Sequence, residues 1–246
     1  MKHLIAGNWK MNGTPASAEA LASGLVARAK GAAKADIALC PPAPLLALVG
    51  AKISGSVIAL GAQDCHADEK GAHTGDTSAL LLSEIGCRFV IVGHSERRTD
   101  HGETDADVKA KAVAAMKAGL IPIICVGETD QQRERGETSS VIERQVKGSL
   151  PDDATSANIV IAYEPVWAIG TGKTATTADI ATVHAYIRKI FEDGHGAAAA
   201  LKILYGGSVK GSNAAAILAT AGVTGALVGG ASLDLEDFWR IVEACP

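Results

Sequence analysis

The sequence predicts a protein of the α/β class, a closed (β/α)8 barrel of eight parallel strands with outer helices. Three observations predict it. Short, β-branched apolar runs alternate eight times with longer helical patterns, and no linker separates the two halves. The length, 246 residues, suits one barrel. The chemically unusual residues also fall just after the apolar runs, where a barrel gathers its functional loops. A doubly wound open sheet is the alternative fold that the same alternation allows. One domain over residues 1–246 is expected.

Composition narrows the function. Hydrophobic residues make up 48% and aromatics 4%, so Ala, Val, Ile and Leu must fill the core. The formal charge is −4, with Lys and Arg spread along the chain, so neither nucleic acid nor a membrane surface is an expected partner. Cys40, Cys65, Cys87, Cys125 and Cys245 are scattered and odd in number, as reduced thiols of a cytoplasmic protein would be. The first residues, Met1 to Asn8, lack the apolar stretch of a secretory signal. Gly211 to Leu233 carries no charge and is long enough to span a bilayer. It is broken by Gly222, Gly225, Gly229 and Gly230, however, and reads as helix, turn and buried strand.

The strands are expected in order at Leu4–Gly7, Ile37–Cys40, Ile58–Ala62, Phe89–Gly93, Ile121–Val126, Ile159–Tyr163, Ile203–Tyr205 and Ala226–Gly229. After the first comes Asn8-Trp9-Lys10-Met11-Asn12-Gly13, where Lys10 is either a solvated amine or a fixed positive charge at the barrel mouth. After the fourth comes His94-Ser95-Glu96-Arg97-Arg98. A lone histidine is more often structural. Here Ser95 and Glu96 can begin a helix whose amides face the ring and disfavour imidazolium. Thr104 can cap the next helix, with Asp107 three residues on, Val108, Ala112, Ala115 and Met116 as its buried face and Gly119 as its stop.

The sixth strand ends at Glu164. Pro165 restricts that residue to extended geometry and so aims its carboxylate. Val166-Trp167-Ala168-Ile169 is too apolar to stay in water, and Gly170-Thr171-Gly172-Lys173 gives the run a pliable end. Pro165 to Lys173 therefore reads as a lid over a general base, which an apolar cover would make more basic. Thr177 can cap the following helix, with Ile180, Val183, Ile187 and Phe191 as its stripe. The loops Tyr205-Gly206-Gly207-Ser208 and Gly229-Gly230 follow the seventh and eighth strands, where barrels form phosphate sites from backbone amides. Asp234-Leu235-Glu236-Asp237 places acids in the first turn of the last helix.

Gly172-Lys173-Thr174 ends like a nucleotide-binding P-loop, but Trp167 stands where that motif needs glycine. Cysteine and histidine spacings suggest no metal, and no dinucleotide fingerprint follows the first strand. The residues thus point to a barrel enzyme acting on a small phosphorylated substrate with Glu, His and Lys, and without a cofactor.

At this level the chain resembles the triosephosphate isomerase family along nearly its whole length. The resemblance rests on Gly7-Asn8-Trp9-Lys10-Met11-Asn12, Val92-Gly93-His94-Ser95-Glu96-Arg97-Arg98, Cys125-Val126-Gly127-Glu128 and Tyr163 to Gly172. Tyr205 to Val209 and Leu227 to Leu233 complete it. The resemblance implies interconversion of dihydroxyacetone phosphate and D-glyceraldehyde 3-phosphate. Glu164 would be the base and neutral His94 the proton shuttle, roles for which this enzyme is itself a standard illustration. Lys10 and Asn8 would stabilise the enediolate, and Gly170, Ser208, Gly229 and Gly230 would hold the phosphate. Ser95, Glu96 and Cys125 would be supporting residues. It further implies a homodimer formed through the loop after the third strand, Gln63 to Asp76, with His73, Thr74 and Gly75 at its tip. His73 stands where the family pattern suggests Phe, and Cys65-His66 is also uncommon there. Protonation of His73 is accordingly expected to weaken the dimer as pH falls to about 6. Two alternatives remain open on sequence: a Schiff-base aldolase using Lys10, and a non-catalytic phosphosugar-binding protein.

Overall fold

The computed structural model describes residues 1–30, 34–169 and 174–246. The strands β1 (Leu4–Asn8), β2 (Asp36–Cys40), β3 (Ile58–Ala62), β4 (Cys87–Val92), β5 (Ile121–Val126), β6 (Val160–Tyr163), β7 (Lys202–Tyr205) and β8 (Gly225–Val228) lie in sequence order. They form a closed barrel. Every neighbouring pair is parallel, and β1 closes the ring by pairing with β8, Leu4 opposite Gly225 and Gly7 opposite Val228. The open-sheet alternative is thereby excluded.

Two apolar layers explain why these runs make a barrel. Leu4 and Ala6, Phe89 and Ile91, Ile123 and Cys125, and Val160 and Ala162 alternate along their strands into one buried cluster, the barrel interior. The intervening residues, such as Ile5, Val90, Ile124 and Ile161, join a larger cluster beneath the helices. The outer layer consists of α1 (Pro15–Arg28), α2 (Leu46–Ile53), α3 (Ala79–Glu84), α4 (Ser95–Asp100), α5 (Asp105–Lys117), α6 (Asp130–Glu134), α7 (Thr138–Ser149), α8 (Thr177–His195), α9 (Ala214–Leu218) and α10 (Leu235–Glu243).

Helix starts follow capping chemistry closely. Thr104 caps α5 in a reciprocal box with Asp107, as its spacing predicts. For α8 the cap is Thr176 rather than Thr177. The reason is the third helical position: counted from Thr176 it is Asp179, which can return a hydrogen bond, whereas from Thr177 it is Ile180. Asp234 caps α10 by accepting from the Asp237 amide at 2.8 Å. The uncharged stretch from Gly211 resolves into α9, a turn and β8. Among the described residues, no helix is long and apolar enough to cross a membrane.

Candidate active site

Period-two alternation carries Glu164 to the barrel mouth, because it follows Val160 and Ala162 on the interior face of β6. Glu164 is only 2% exposed. Its Oε2 accepts from the Ser95 amide at 3.0 Å, and its Oε1 lies 3.0 Å from His94 Nε2. Two glycines make room for it. A Cβ on Gly206 would stand 2.7 Å from Glu164 Cγ, and one on Gly127 would stand 1.7 Å from the Glu164 carbonyl oxygen.

His94 reaches the same place by a different device. Gly93 has a φ of +66°, which turns the chain at the end of β4 and sends the next side chain inward. The Glu96 amide donates to His94 Nδ1 at 3.2 Å, so Nε2 carries the proton of a neutral ring and faces the carboxylate.

Burial alone would push the Glu164 carboxyl up; His94, the Ser95 amide and Lys10 reverse that and hold it below the ordinary glutamate value. Burial likewise disfavours imidazolium at His94, but the Glu164 carboxylate outweighs it and raises the ring's pKa. The sequence suggested a carboxylate made more basic by its cover and a histidine held neutral by helix amides. Each expectation omitted the partner that now sits beside the other.

Lys10 is the one non-glycine residue with positive φ among the described residues, at +50°. Its amide donates to Asn8 Oδ1 at 3.0 Å, and Gln63 Nε2 donates to its carbonyl at 2.9 Å. Its Nζ contacts Glu96 Oε1. Lys10, Asn8, His94, Glu164 and Ile169 line a cleft of about 260 Å³, which Ser208, Gly229 and Gly230 close on the far side. Gly230 opens a 3-10 turn at the edge of this space.

The comparisons with known proteins agree with this geometry. A model of the triosephosphate isomerase family matches residues 3–245. The chain is 54% identical to the triosephosphate isomerase of Afipia carboxidovorans, covering 100% of this chain and 98% of that protein. It is 52% identical to that of Bradyrhizobium diazoefficiens at the same coverage. The crystal structure of triosephosphate isomerase from Bartonella henselae superposes with a TM-score of 0.91 at 48% identity, covering 99% of both chains. The chain belongs to the triosephosphate isomerase family.

Of the lid expected in this family member, Pro165 to Ile169 is described. Val166–Ala168 forms a 3-10 turn, with Trp167 and Ala168 buried, as their apolar character demanded. Gly170, Thr171, Gly172 and Lys173 lie outside the described residues. Cys125 lies near the end of β5 beside Glu164, and burial followed by that carboxylate pushes its thiol well up, so it stays protonated.

Three features were missed in the sequence. Glu128, fully buried, accepts from Trp167 Nε1 at 2.9 Å and Tyr163 OH at 3.2 Å, pinning the start of the lid. Its place after β5 was the available signal. Gln63, just past the end of β3, braces Lys10, and Lys210 adds a second cation to the cleft. Neither of these carried a local mark.

Proposed function

We propose that the chain interconverts dihydroxyacetone phosphate and D-glyceraldehyde 3-phosphate through an enediolate, by general acid–base catalysis without a cofactor. The observation that carries this reading is the Glu164 carboxylate at the barrel mouth, held 3.0 Å from His94 in the cleft that Lys10 and Asn8 also line. Glu164 leaves the Ser95 amide and His94 to meet the substrate, losing the contacts that hold its pKa down. The lid then keeps water away, so burial makes the carboxylate more basic at the step where it takes the proton α to the carbonyl.

It returns that proton to the neighbouring carbon. With Glu164 gone from its side, His94 is a buried neutral ring whose Nε2–H polarises the carbonyl and shuttles a proton between the two oxygens. Lys10 and Asn8 stabilise charge that appears only as the enediolate forms. Ser208, Gly229 and Gly230, with Gly170, hold the phosphate dianion at backbone amides. Ser95, Glu96 and Cys125 hold these groups in place. Exclusion of water by Pro165 to Lys173 protects an intermediate that would otherwise lose phosphate. Against the aldolase alternative, the Lys10 ammonium is paired with Glu96 rather than presented as a free nucleophile.

The same reading takes residues 1–246 as one cytoplasmic domain that works as a homodimer. A groove of about 680 Å³ beside Lys10 and Glu96 suits an inserted loop tip, such as His73, Thr74 and Gly75 of a second copy. Met11, 96% exposed, and Leu81, 53% exposed, would be covered by such a partner.

Glu164→Asp tests the base. It withdraws the carboxylate by about one methylene, and turnover should fall by roughly 10²-fold with little change in KM. Near-normal turnover would remove Glu164 from this role.

A further inference from the structure

The loop between β3 and α3 gathers four metal-ligand side chains that the proposed reaction does not use. His66, Asp68 and His73 each place a ligand-type atom within 4.8 Å of the others. Asp68 Oδ2 lies 3.0 Å from His73 Nε2 and 4.0 Å from His66 Nδ1. The two imidazoles are stacked, with ring centroids 3.9 Å apart and planes 30° apart, so their edges turn toward the same carboxylate. On the opposite edge of His66, Nε2 faces Asp76 Oδ2 at 3.9 Å. None of the four lines the cleft that holds Glu164.

We propose that His66 Nδ1, Asp68 Oδ2 and His73 Nε2 form a site for one divalent transition-metal ion of the zinc class, with Asp76 orienting His66. In a tetrahedral zinc site, ligand bonds of about 2.1 Å set ligand atoms roughly 3.3 Å apart. The Asp68–His73 and Asp68–His66 separations, 3.0 and 4.0 Å, bracket that spacing, and all three ligand atoms lie within 4.8 Å of one another. Two imidazoles and one carboxylate suit Zn2+, Co2+ or Ni2+, whereas Mg2+ and Ca2+ ask for more oxygen ligands. The fourth position is left to water.

Asp76 stands 3.9 Å from the ring nitrogen of His66 that does not meet the metal, and would close to the hydrogen bond that ligating histidines usually make to a carboxylate. In the free loop, the Asp68 amide donates to His66 Nδ1 at 2.9 Å, so that exposed amide turns to water when the ion takes its place. Gly71 leaves room for the movement of His73, since a Cβ there would stand 3.0 Å from the ring. The ion would tie residue 66 to residue 73 and fix the shape of the tip.

The sequence did not mark this site because its ligands are spread over an irregular loop. They match no paired-cysteine or helical histidine spacing. Only the fold-back of the tip, which stacks His73 on His66, brings them together.

The test uses the tag-free full-length chain, stripped with EDTA, desalted and titrated calorimetrically with Zn2+ at neutral pH. Absorption with Co2+ reports the geometry. One equivalent of Zn2+ per chain is expected, with the intense visible bands of tetrahedral Co2+. His73→Gln and Asp68→Asn should each abolish this binding, and Asp76→Asn should weaken it by roughly 10- to 100-fold. His101→Gln, an exposed histidine outside the cluster, should leave it unchanged. All these positions except His66 are exposed on the single chain; circular dichroism checks that the variants fold, and sedimentation that they assemble as the wild type does. No saturable binding by the wild type, or binding that survives both His66→Gln and His73→Gln, would overturn the proposal.

Discussion

Glu164 is fixed as much by what its neighbours lack as by what they offer. Its amide donates to Val126 at 2.8 Å across the β5–β6 pair, so its backbone cannot retreat from Gly127. Gly127→Ala would drive a methyl to within 1.7 Å of the Glu164 carbonyl oxygen. The expected cost is about 3 kcal/mol or more in urea unfolding, with turnover lost as the carboxylate is displaced. A variant of wild-type stability would show that the strand ends are more compliant than this packing implies. Residue identity in this site was largely legible from position: Glu164 follows its strand directly, and His94 and Lys10 lie two residues past the ends of theirs. Their electrostatics were not legible, because the mutual shift of Glu164 and His94 depends on a 3.0 Å contact between residues 70 positions apart in sequence.

At the scale of elements, α8 carries the group that should govern acid stability. His184 is fully buried, its ring edge-on to Tyr163 of β6 at 6.0 Å. Its Nδ1 meets the Gly222 carbonyl at 3.3 Å, while Nε2 has no hydrogen-bond partner among the described residues. Burial pulls its pKa down to about 4, against 6.5 for the free side chain. The folded value is the lower one, so the unfolded chain takes up the proton first as pH falls. The penalty is absent above 6.5, grows as pH falls to about 4 and is complete below that. Over that window the group should remove about 3 kcal/mol of stability. Denaturant midpoints measured across it should show a slope that His184→Gln flattens, and an unchanged slope would exclude His184 as the group responsible. Strands were easier to read than helix starts, since apolar runs define strands. The α8 boundary moved by one residue because only Thr176 finds an acidic partner at the third position.

For the whole molecule, the eightfold alternation and the chain length pointed to the closed barrel but left the open sheet available, which only the pairing of β1 with β8 excludes. The loop between β3 and α3 was the part least visible beforehand. Its contacts, such as His66 with Asp76, join residues of one irregular segment with no periodicity to announce them. If that loop forms the proposed dimer, sedimentation should show a dimer that removal of the tip at His73, Thr74 and Gly75 dissociates. An unchanged sedimentation coefficient would take the tip out of the interface.

The central claim is that a carboxylate on β6 acts as the base for triose phosphate isomerisation. The most direct measurement is conversion of D-glyceraldehyde 3-phosphate to dihydroxyacetone phosphate in buffer containing EDTA, for the wild type and Glu164→Gln. Rapid wild-type turnover that collapses in the variant is the predicted result. A folded wild type without turnover, or a variant that keeps it, would contradict the claim.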